Sequence, residues 1–290
     1  MRGNGPGTRQ MEAMRLSRFL NSTLTTALVF FAGVNSLSAA TAEESSIPGI
    51  IRQMLARTRE TQTEKGREHY VFLKTSVTEE LGAKGEVKSR KQKEYEVRAI
   101  GGAAYSRLIR IDGRELKSDE RAREEEKERK FRQRLESGRK PAPGRRQQET
   151  VVSEEIINRY QFVLDRHEVL NGRKTFVISF KPRGPNYSVK NLADRFLNRI
   201  SGTVWVDEEE FEIARLDLRL VEKTSLWGGL LASLESFELS LNRRRIDRLV
   251  WFDDSSEVTF QGRKLFDTIR MHAREETKDF KRTDAGLLKY

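Results

Sequence analysis

Four consecutive carboxylates at 207–210 form the densest group of side chains that could do chemistry, and they follow an alternating run that contains Trp205. Carboxylates can ligate a metal ion or act as general acids and bases. Successive side chains of an extended strand point to opposite sides, so four adjacent carboxylates cannot converge on one point. We therefore predict a solvated hairpin turn here rather than a catalytic or metal site.

The other groups that could carry chemistry are scattered. His69, His167 and His272 are the only histidines, each in a predicted strand and more than 90 residues from the next. The Asp-Asp-Ser-Ser run at 253–256 is typical of a turn between two strands. Nucleophile elbow, phosphate-loop and zinc-protease motifs are absent, and the chain has no cysteine. We predict a protein that is not an enzyme and uses no metal or cofactor; a hydrolase with dispersed catalytic groups is the alternative.

The N-terminal residues predict export. Arg15 and Arg18 precede an apolar stretch at 24–34, and Ala40-Thr41-Ala42 matches a signal-peptidase site. A membrane span needs roughly 20 apolar residues, and polar residues interrupt this stretch. We therefore predict a cleaved signal peptide at 1–42 and a periplasmic mature chain at 43–290, which lacks a cysteine that could carry a lipid anchor.

Positive charge limits the partners. The chain carries a net charge of +11, which falls to about +8 once residues 1–42 are removed. A basic exported protein meets anionic membrane surfaces and acidic envelope proteins. No nucleic-acid-binding module is recognisable, so we predict no nucleic-acid partner.

Periodicity predicts a mainly β protein. An apolar stripe over 47–58, with Ser46 as its N-cap, predicts a first helix, and a second stripe from Val189 to Ile200 predicts another. About ten alternating segments, joined in sequence and including a hairpin at Asn171-Gly172, predict strands. This order favours an α+β fold: a strongly curved antiparallel sheet, or half-open barrel, with helices on its concave side.

The segment 114–149 differs from the rest, because 22 of its 36 residues are charged. Acid-before-base pairs four residues apart, as in Asp119/Arg123, Glu125/Arg129 and Glu126/Lys130, support an exposed helix. We predict an inserted solvated helix and linker. A basic arm that recruits a partner is the alternative.

Large apolar side chains on alternating positions predict a lined interior. Such a lining is either a core filled by helices or a ligand cavity, and the residues leave both open. The candidate cavity residues are Tyr70, Phe72, Phe176, Ile178, Phe180, Leu192, Phe196, Trp205, Leu216, Leu218 and Leu220. The candidates for a buried hairpin corner or a mobile rim are Leu226, Trp227, Gly228, Gly229 and Leu230.

Two adjoining segments, "YQFVLDRHEVLNGRKTFVISFKP" and "GTVWVDEEEFEIARLDL", resemble the LolA-like superfamily of periplasmic lipoprotein carriers, outer-membrane lipoprotein-sorting proteins and envelope-stress regulators. The resemblance covers most of residues 45–282 and omits the charged segment. It implies a half-open antiparallel barrel that binds acyl chains or a partner peptide. It also places Trp205 and Asp207 at a strand and its turn, and Leu216, Leu218 and Leu220 on an inward-facing strand.

We therefore predict a binding protein that shields a lipophilic ligand, such as an acyl chain or a lipoprotein lipid, inside a β half-barrel. The alternative is an envelope interaction or regulatory module whose cavity is plugged and which acts through protein partners.

Overall fold

The computed structural model describes residues 46–63, 65–138, 158–184, 196–226, 232–248, 250–264 and 267–283. The predicted signal peptide lies outside these residues. The helices are α1 (Ile47–Thr63), a 3-10 helix (Lys65–His69) and α2 (Ser118–Glu136). The strands are β1 (Tyr70–Leu81), β2 (Val87–Ile100), β3 (Ala103–Ile111), β4 (Arg114–Glu115), β5 (Tyr160–Leu170), β6 (Arg173–Pro182), β7 (Ile200–Asp207), β8 (Ile213–Leu220), β9 (Thr224–Leu226), β10 (Ala232–Asp247), β11 (Val250–Lys264) and β12 (Asp267–Arg282).

The described strands form one curved, unclosed sheet. Its order is β4-β3-β2-β1-β12-β11-β10-β8-β7-β6-β5, and β9 pairs with β10 beside this path. Every pairing is antiparallel, and most neighbours are consecutive in the chain. The two exceptions are β8 beside β10 and β1 beside β12, and the second joins the first and last strands in sequence order. The predicted fold class, a mainly β half-open antiparallel barrel, is confirmed.

Register divides the side chains between two faces. Residues that are directly opposed on paired strands share a face. One such row runs from Ile178 through Val204 and Leu216 to Leu241. It packs against α1, and we call this side the α1 face. The neighbouring residues Val177, Trp205 and Arg215 form a row on the other side, the opposite face.

Helix α1 forms where the apolar stripe predicted it. The Ser46 hydroxyl accepts the Gly49 N–H at 3.2 Å, which satisfies one of the free amides at the helix start. The stripe then packs on β6, β7 and β8, and this first core cluster comprises Ile50, Ile51, Met54, Leu55, Ile178, Val204, Val206, Ile213 and Leu216. Both the predicted stripe and the predicted cap are confirmed.

A second core cluster continues along the α1 face toward the later strands. Phe237 is almost fully buried there, and its ring meets Phe196 edge-on at 5.2 Å between centroids. The buried members of this second cluster are Ile200, Leu234, Phe237, Leu239, Val258, Phe260 and Met271.

Helix α2 confirms the helix predicted within the charged segment. It packs on the edge of the sheet, where the Phe131 ring lies 4.9 Å from that of Tyr105. Glu124 is buried beneath the helix and accepts hydrogen bonds from the Tyr105 hydroxyl and the Leu108 N–H. Burial and the neighbouring Glu124 carboxylate raise the pKa of Tyr105 above its ordinary value. The prediction of a wholly solvated helix is therefore wrong for this side of α2.

The predicted ion pairs along α2 form in two of three cases. Asp119 with Arg123 and Glu126 with Lys130 lie at 3.4 and 3.1 Å. Arg129 instead pairs with Glu126 at 2.5 Å. At the helix start, Arg114 and the Lys117 N–H hold Glu120, and these hydrogen bonds lower its pKa to about 2.

Three local predictions are wrong. The run at 253–256 lies inside β11, where a bulge lets the strand continue past Asn242 and Arg243 of β10. Ile200 begins β7 rather than closing a helix. His69 ends the 3-10 helix before β1, because strand pairing starts one residue later.

The hairpin predicted at Asn171-Gly172 joins β5 to β6. Both residues have positive φ, 52° and 78°, as a type I′ turn requires. The turn sets the register that brings Phe176, Ile178 and Phe180 to the α1 face. Within the described residues, neither helix is both long and apolar enough to cross a membrane.

Candidate ligand-binding face

The acidic run at 207–210 does form the turn between β7 and β8, but it is not simply solvated. Asp207 is completely buried, and its carboxylate accepts the N–H groups of Glu209 and Glu210. The Arg173 guanidinium donates two hydrogen bonds to the same carboxylate, at 2.5 and 2.8 Å. These bonds raise the pKa of Arg173 above its ordinary value. The prediction of a solvated turn is wrong at Asp207, because an arginine from the neighbouring hairpin neutralises it there.

A second buried carboxylate follows the turn. The side chain of Glu212 is fully buried and lies 3.3 Å from Arg57 Nε of α1 and 2.7 Å from Arg243 Nη1 of β10. Arg243 also pairs with Asp253 at 3.2 Å. Through Arg243, this cluster ties α1 to β10 and β11.

His272 is the most constrained of the three histidines. It lies on the opposite face, with Nδ1 3.0 Å from Glu79 of β1 and Nε2 2.7 Å from Glu257 of β11. Burial disfavours the charged ring, but the two carboxylates outweigh it and raise the pKa of His272 above its ordinary value. The protonated ring therefore links three neighbouring strands.

This linkage predicts a pH dependence of stability. Since the folded pKa of His272 is raised, its stabilising contribution is complete below its unfolded pKa of about 6.5 and is lost as pH rises through the folded value. We expect His272→Gln to lower the free energy of unfolding more at pH ~5.5 than at pH ~8.5 in urea titrations. The difference should shrink in a Glu257→Gln background. An equal loss at both pH values would contradict the linkage.

The opposite face also holds a depression of about 840 Å³ across β5–β8, β10 and β11. Its floor is polar, with Ser179, Thr203, Asp217 and Ser240 directly opposed along one row. Asp217 accepts the Ser240 hydroxyl at 2.7 Å and pairs with Arg215. Among the described residues, no three His, Asp or Glu side chains are placed to hold a metal ion.

The α1 face offers an apolar seam between the two core clusters. Phe180 and Leu218 are only half-buried, and each packs against both clusters. Gly202 lies between them on β7. A Cβ there would come within 2.2 Å of the Asp217 carbonyl oxygen, 2.9 Å of the Phe180 ring and 3.0 Å of Leu218. Glycine therefore permits a close strand approach and lets Phe180 and Leu218 pack directly over the β7 backbone.

The structure brings seven of the predicted cavity residues to this face. Phe176, Ile178 and Leu216 belong to or pack on the first cluster, Phe196 and Leu220 pack on the second, and Phe180 and Leu218 border both. Leu226 lies in β9, where it pairs with Ala232 of β10. Leu192, Trp227, Gly228, Gly229 and Leu230 lie outside the described residues.

Three candidates lie elsewhere. Trp205 is on the opposite face in a cluster with Val177, Ala214 and Trp251, and Arg215 stacks over its ring at 4.7 Å. Tyr70 and Phe72 join an aromatic cluster with Phe252 and Phe280, with centroid distances of 4.9–5.5 Å. They are apart from the seam because β1 pairs with β12, at a distance from β6–β8 in the sheet order.

Sequence reasoning missed the contribution of β10–β12 to this face. Phe237, Leu239 and Leu241 alternate with Glu238 and Ser240, which was a readable strand signal. The pairing of β10 with β8 puts those apolar residues on the α1 face. The ion cluster around Glu212 carried no comparable signal, because its partners come from distant parts of the chain.

No protein-family model and no curated protein matches this chain. Among solved structures, a domain assigned as an outer membrane lipoprotein-sorting protein from Vibrio parahaemolyticus is 15% identical, with 83% of this chain and 93% of that one covered and a TM-score of 0.29. A LolA superfamily protein from Nitrosomonas europaea is 10% identical, with coverages of 77% and 94% and a TM-score of 0.23. A chain of the Pseudomonas aeruginosa MucA/MucB complex is 10% identical, with coverages of 81% and 98% and a TM-score of 0.23. The fold class of this chain rests on its own strand order and register.

Proposed function

We propose that this protein is a periplasmic, non-enzymatic binding protein that holds an acyl chain of a lipid or lipoprotein on its α1 face. The apolar seam supports this proposal. Two well-buried clusters meet there across half-buried Phe180 and Leu218, which pack over Gly202. Because each buried methylene contributes about 0.8 kcal/mol, a few methylenes in the seam give useful affinity.

The polarity of the two faces also favours the α1 face as the binding position. The opposite face carries hydroxyls and paired charges in its depression, whereas the seam borders apolar side chains. The export signal predicted at 1–42 would place such a protein where exported lipids and lipoproteins are handled.

A second candidate function is supported by the fit of α1. Ile50 and Ile51 are each about 1% exposed, so this helix already fills the face beside the seam. A plugged face of this kind suits an envelope interaction module that acts through protein partners. The two candidates differ in whether the purified protein carries lipid.

Lipid extraction with mass spectrometry and titration with a fluorescent fatty acid separate the candidates. We expect co-purifying lipid, and we expect Leu218→Gln to raise the dissociation constant of the probe about tenfold, because lost apolar contact of about 1.4 kcal/mol has that effect. The matched control is Arg219→Gln, since Arg219 is the next residue of β8 and lies on the opposite face.

Circular dichroism checks that both variants are folded, and unlabelled fatty acid should displace the probe from the unmodified protein. Absence of lipid together with no saturable probe binding would support the interaction module. Equal weakening by the two variants would refute the seam as the binding position.

A further inference from the structure

The two edges of the sheet differ in the length of the edge strand and in how far it is covered. At one edge, β4 has only two residues, and α2 packs over β3 with the buried Glu124 accepting the Leu108 N–H. At the other edge lies β5, eleven residues long, with no further strand beside it in the described part of the chain. A long edge strand presents unpaired backbone groups that can pair with another chain.

Apolar exposure is concentrated on this edge. Four large hydrophobic residues are exposed in the described part of the chain, and two of them, Val163 at 44% and Val169 at 66%, belong to β5. Phe162 and Leu164 on the same strand are half-buried on the α1 face. A second strand laid along β5 would cover these groups and pair its backbone at the same time.

We propose that β5 pairs antiparallel with β5 of a second copy of this chain, around a two-fold axis between Asp165 and Arg166. In this register Asp165 opposes Arg166 of the second copy, and the reciprocal pair forms on the other side of the axis. Moving outward, Leu164 opposes His167, Val163 opposes Glu168, and Phe162 opposes Val169.

Charge complementarity selects this register. A two-fold axis through Asp165 would oppose two carboxylates, and an axis through Arg166 would oppose two guanidinium groups, both of which are unfavourable across a strand pair. An axis between them opposes acid to base twice. Arg166 already pairs with Glu168 of its own strand at 2.6 Å, so it would lie between two carboxylates.

The bulge in β5 makes the register consistent with the faces of the sheet. In a regular strand Asp165 and Arg166 would point to different faces, whereas directly opposed residues must share one. The register of β5 against β6 shifts between Leu164 and Arg166, so that Asp165 is the extra residue. Asp165 accepts the Ser179 hydroxyl and Arg166 opposes Val177.

Both Ser179 and Val177 lie on the opposite face. Asp165 and Arg166 therefore share that face, and so do Val163 and Glu168. Phe162 and Val169 share the α1 face, so their contact in the dimer buries the most exposed valine of the strand against an aromatic ring. The two sheets would continue into one another with their α1 faces on the same side.

Charge reversal tests the proposal. We expect sedimentation equilibrium to show a dimer of the purified protein. Asp165→Arg and Arg166→Asp, made singly, should each raise the dimer dissociation constant about tenfold or more, because symmetry places two like-charge contacts in each dimer. The double variant should restore the original constant. Reversal of the exposed α2 pair, Asp119→Arg with Arg123→Asp, is the control and should leave the constant unchanged.

Disulfide crosslinking tests the same register without changing the Asp165–Arg166 charge pairs. Because the chain has no cysteine, Val163→Cys and Glu168→Cys can be made singly and mixed. Mild oxidation should link the two variants to each other more than tenfold faster than either links to itself. A monomer at all concentrations, a dimer indifferent to both single reversals, or equal crosslinking in mixed and unmixed samples would each overturn the proposal.

Discussion

Replacing Glu212 by alanine is expected to lower the free energy of unfolding by about 3–5 kcal/mol, because it removes a fully buried carboxylate that pairs with two largely buried arginines. Glu212 is fully buried between Arg57 of α1 and Arg243 of β10. Arg243 keeps Asp253 and the Ile213 carbonyl in the variant, whereas Arg57 loses the ion pair that joins α1 to the sheet. Urea denaturation followed by circular dichroism measures the loss.

Glu209→Ala is the matched control, because Glu209 lies on the same turn with its side chain 80% exposed. The carboxylate in its ion pair with Arg173 is exposed to solvent. Glu209→Ala should therefore lower the free energy of unfolding by no more than about 1 kcal/mol. If Glu212→Ala were as mild as this control, the buried cluster would not be anchoring α1. In that case the packing of the α1 stripe alone would hold the helix.

Truncation of Phe237 to alanine should destabilise the protein by about 3–5 kcal/mol, since it removes a large ring from the middle of the second core cluster. The side chain is 1% exposed and packs edge-on against Phe196. Its neighbours Leu239, Phe260 and Met271 come from three strands, so they can close the cavity only in part.

The control for this variant is Glu238→Ala, the next residue of β10, which points to the opposite face and is exposed. Glu238→Ala should change the free energy of unfolding by no more than about 0.5 kcal/mol. Phe237→Leu should cost less than Phe237→Ala, because it keeps most of the apolar volume. Equal effects of the alanine and leucine variants would show that the cluster is not tightly packed around this ring.

Features that depend on neighbouring residues were readable in the sequence. The α1 stripe, the turn at Asn171-Gly172 and the helix within the charged segment follow from periodicity, positive-φ preference and ion-pair spacing. Alternation also separated the apolar residues of β8 from Arg215, Asp217 and Arg219. These signals were enough for the fold class and for the part of the α1-face lining that comes from β6 and β8.

Features that depend on partners far along the chain were not readable. Tyr70 donates a hydrogen bond to Asp247, 177 residues away, which draws it into a different cluster from Phe180. Strand alternation separates Trp205 from Val204 and Val206, but only the pairing with β6 and β8 shows which of them faces α1. A bulge kept β11 continuous through a run that resembles a turn.

The sequence by itself determined the local elements of this protein: its alternating strands, its helices and the bend after Trp205. Tertiary structure decided what the carboxylates around that bend do. Asp207 and Glu212 look solvated from their neighbours alone, yet Arg173, Arg57 and Arg243 reach them from β6, α1 and β10 and make burial tolerable. Periodicity reports which way a side chain points, whereas the charge that meets it there depends on how distant segments pack.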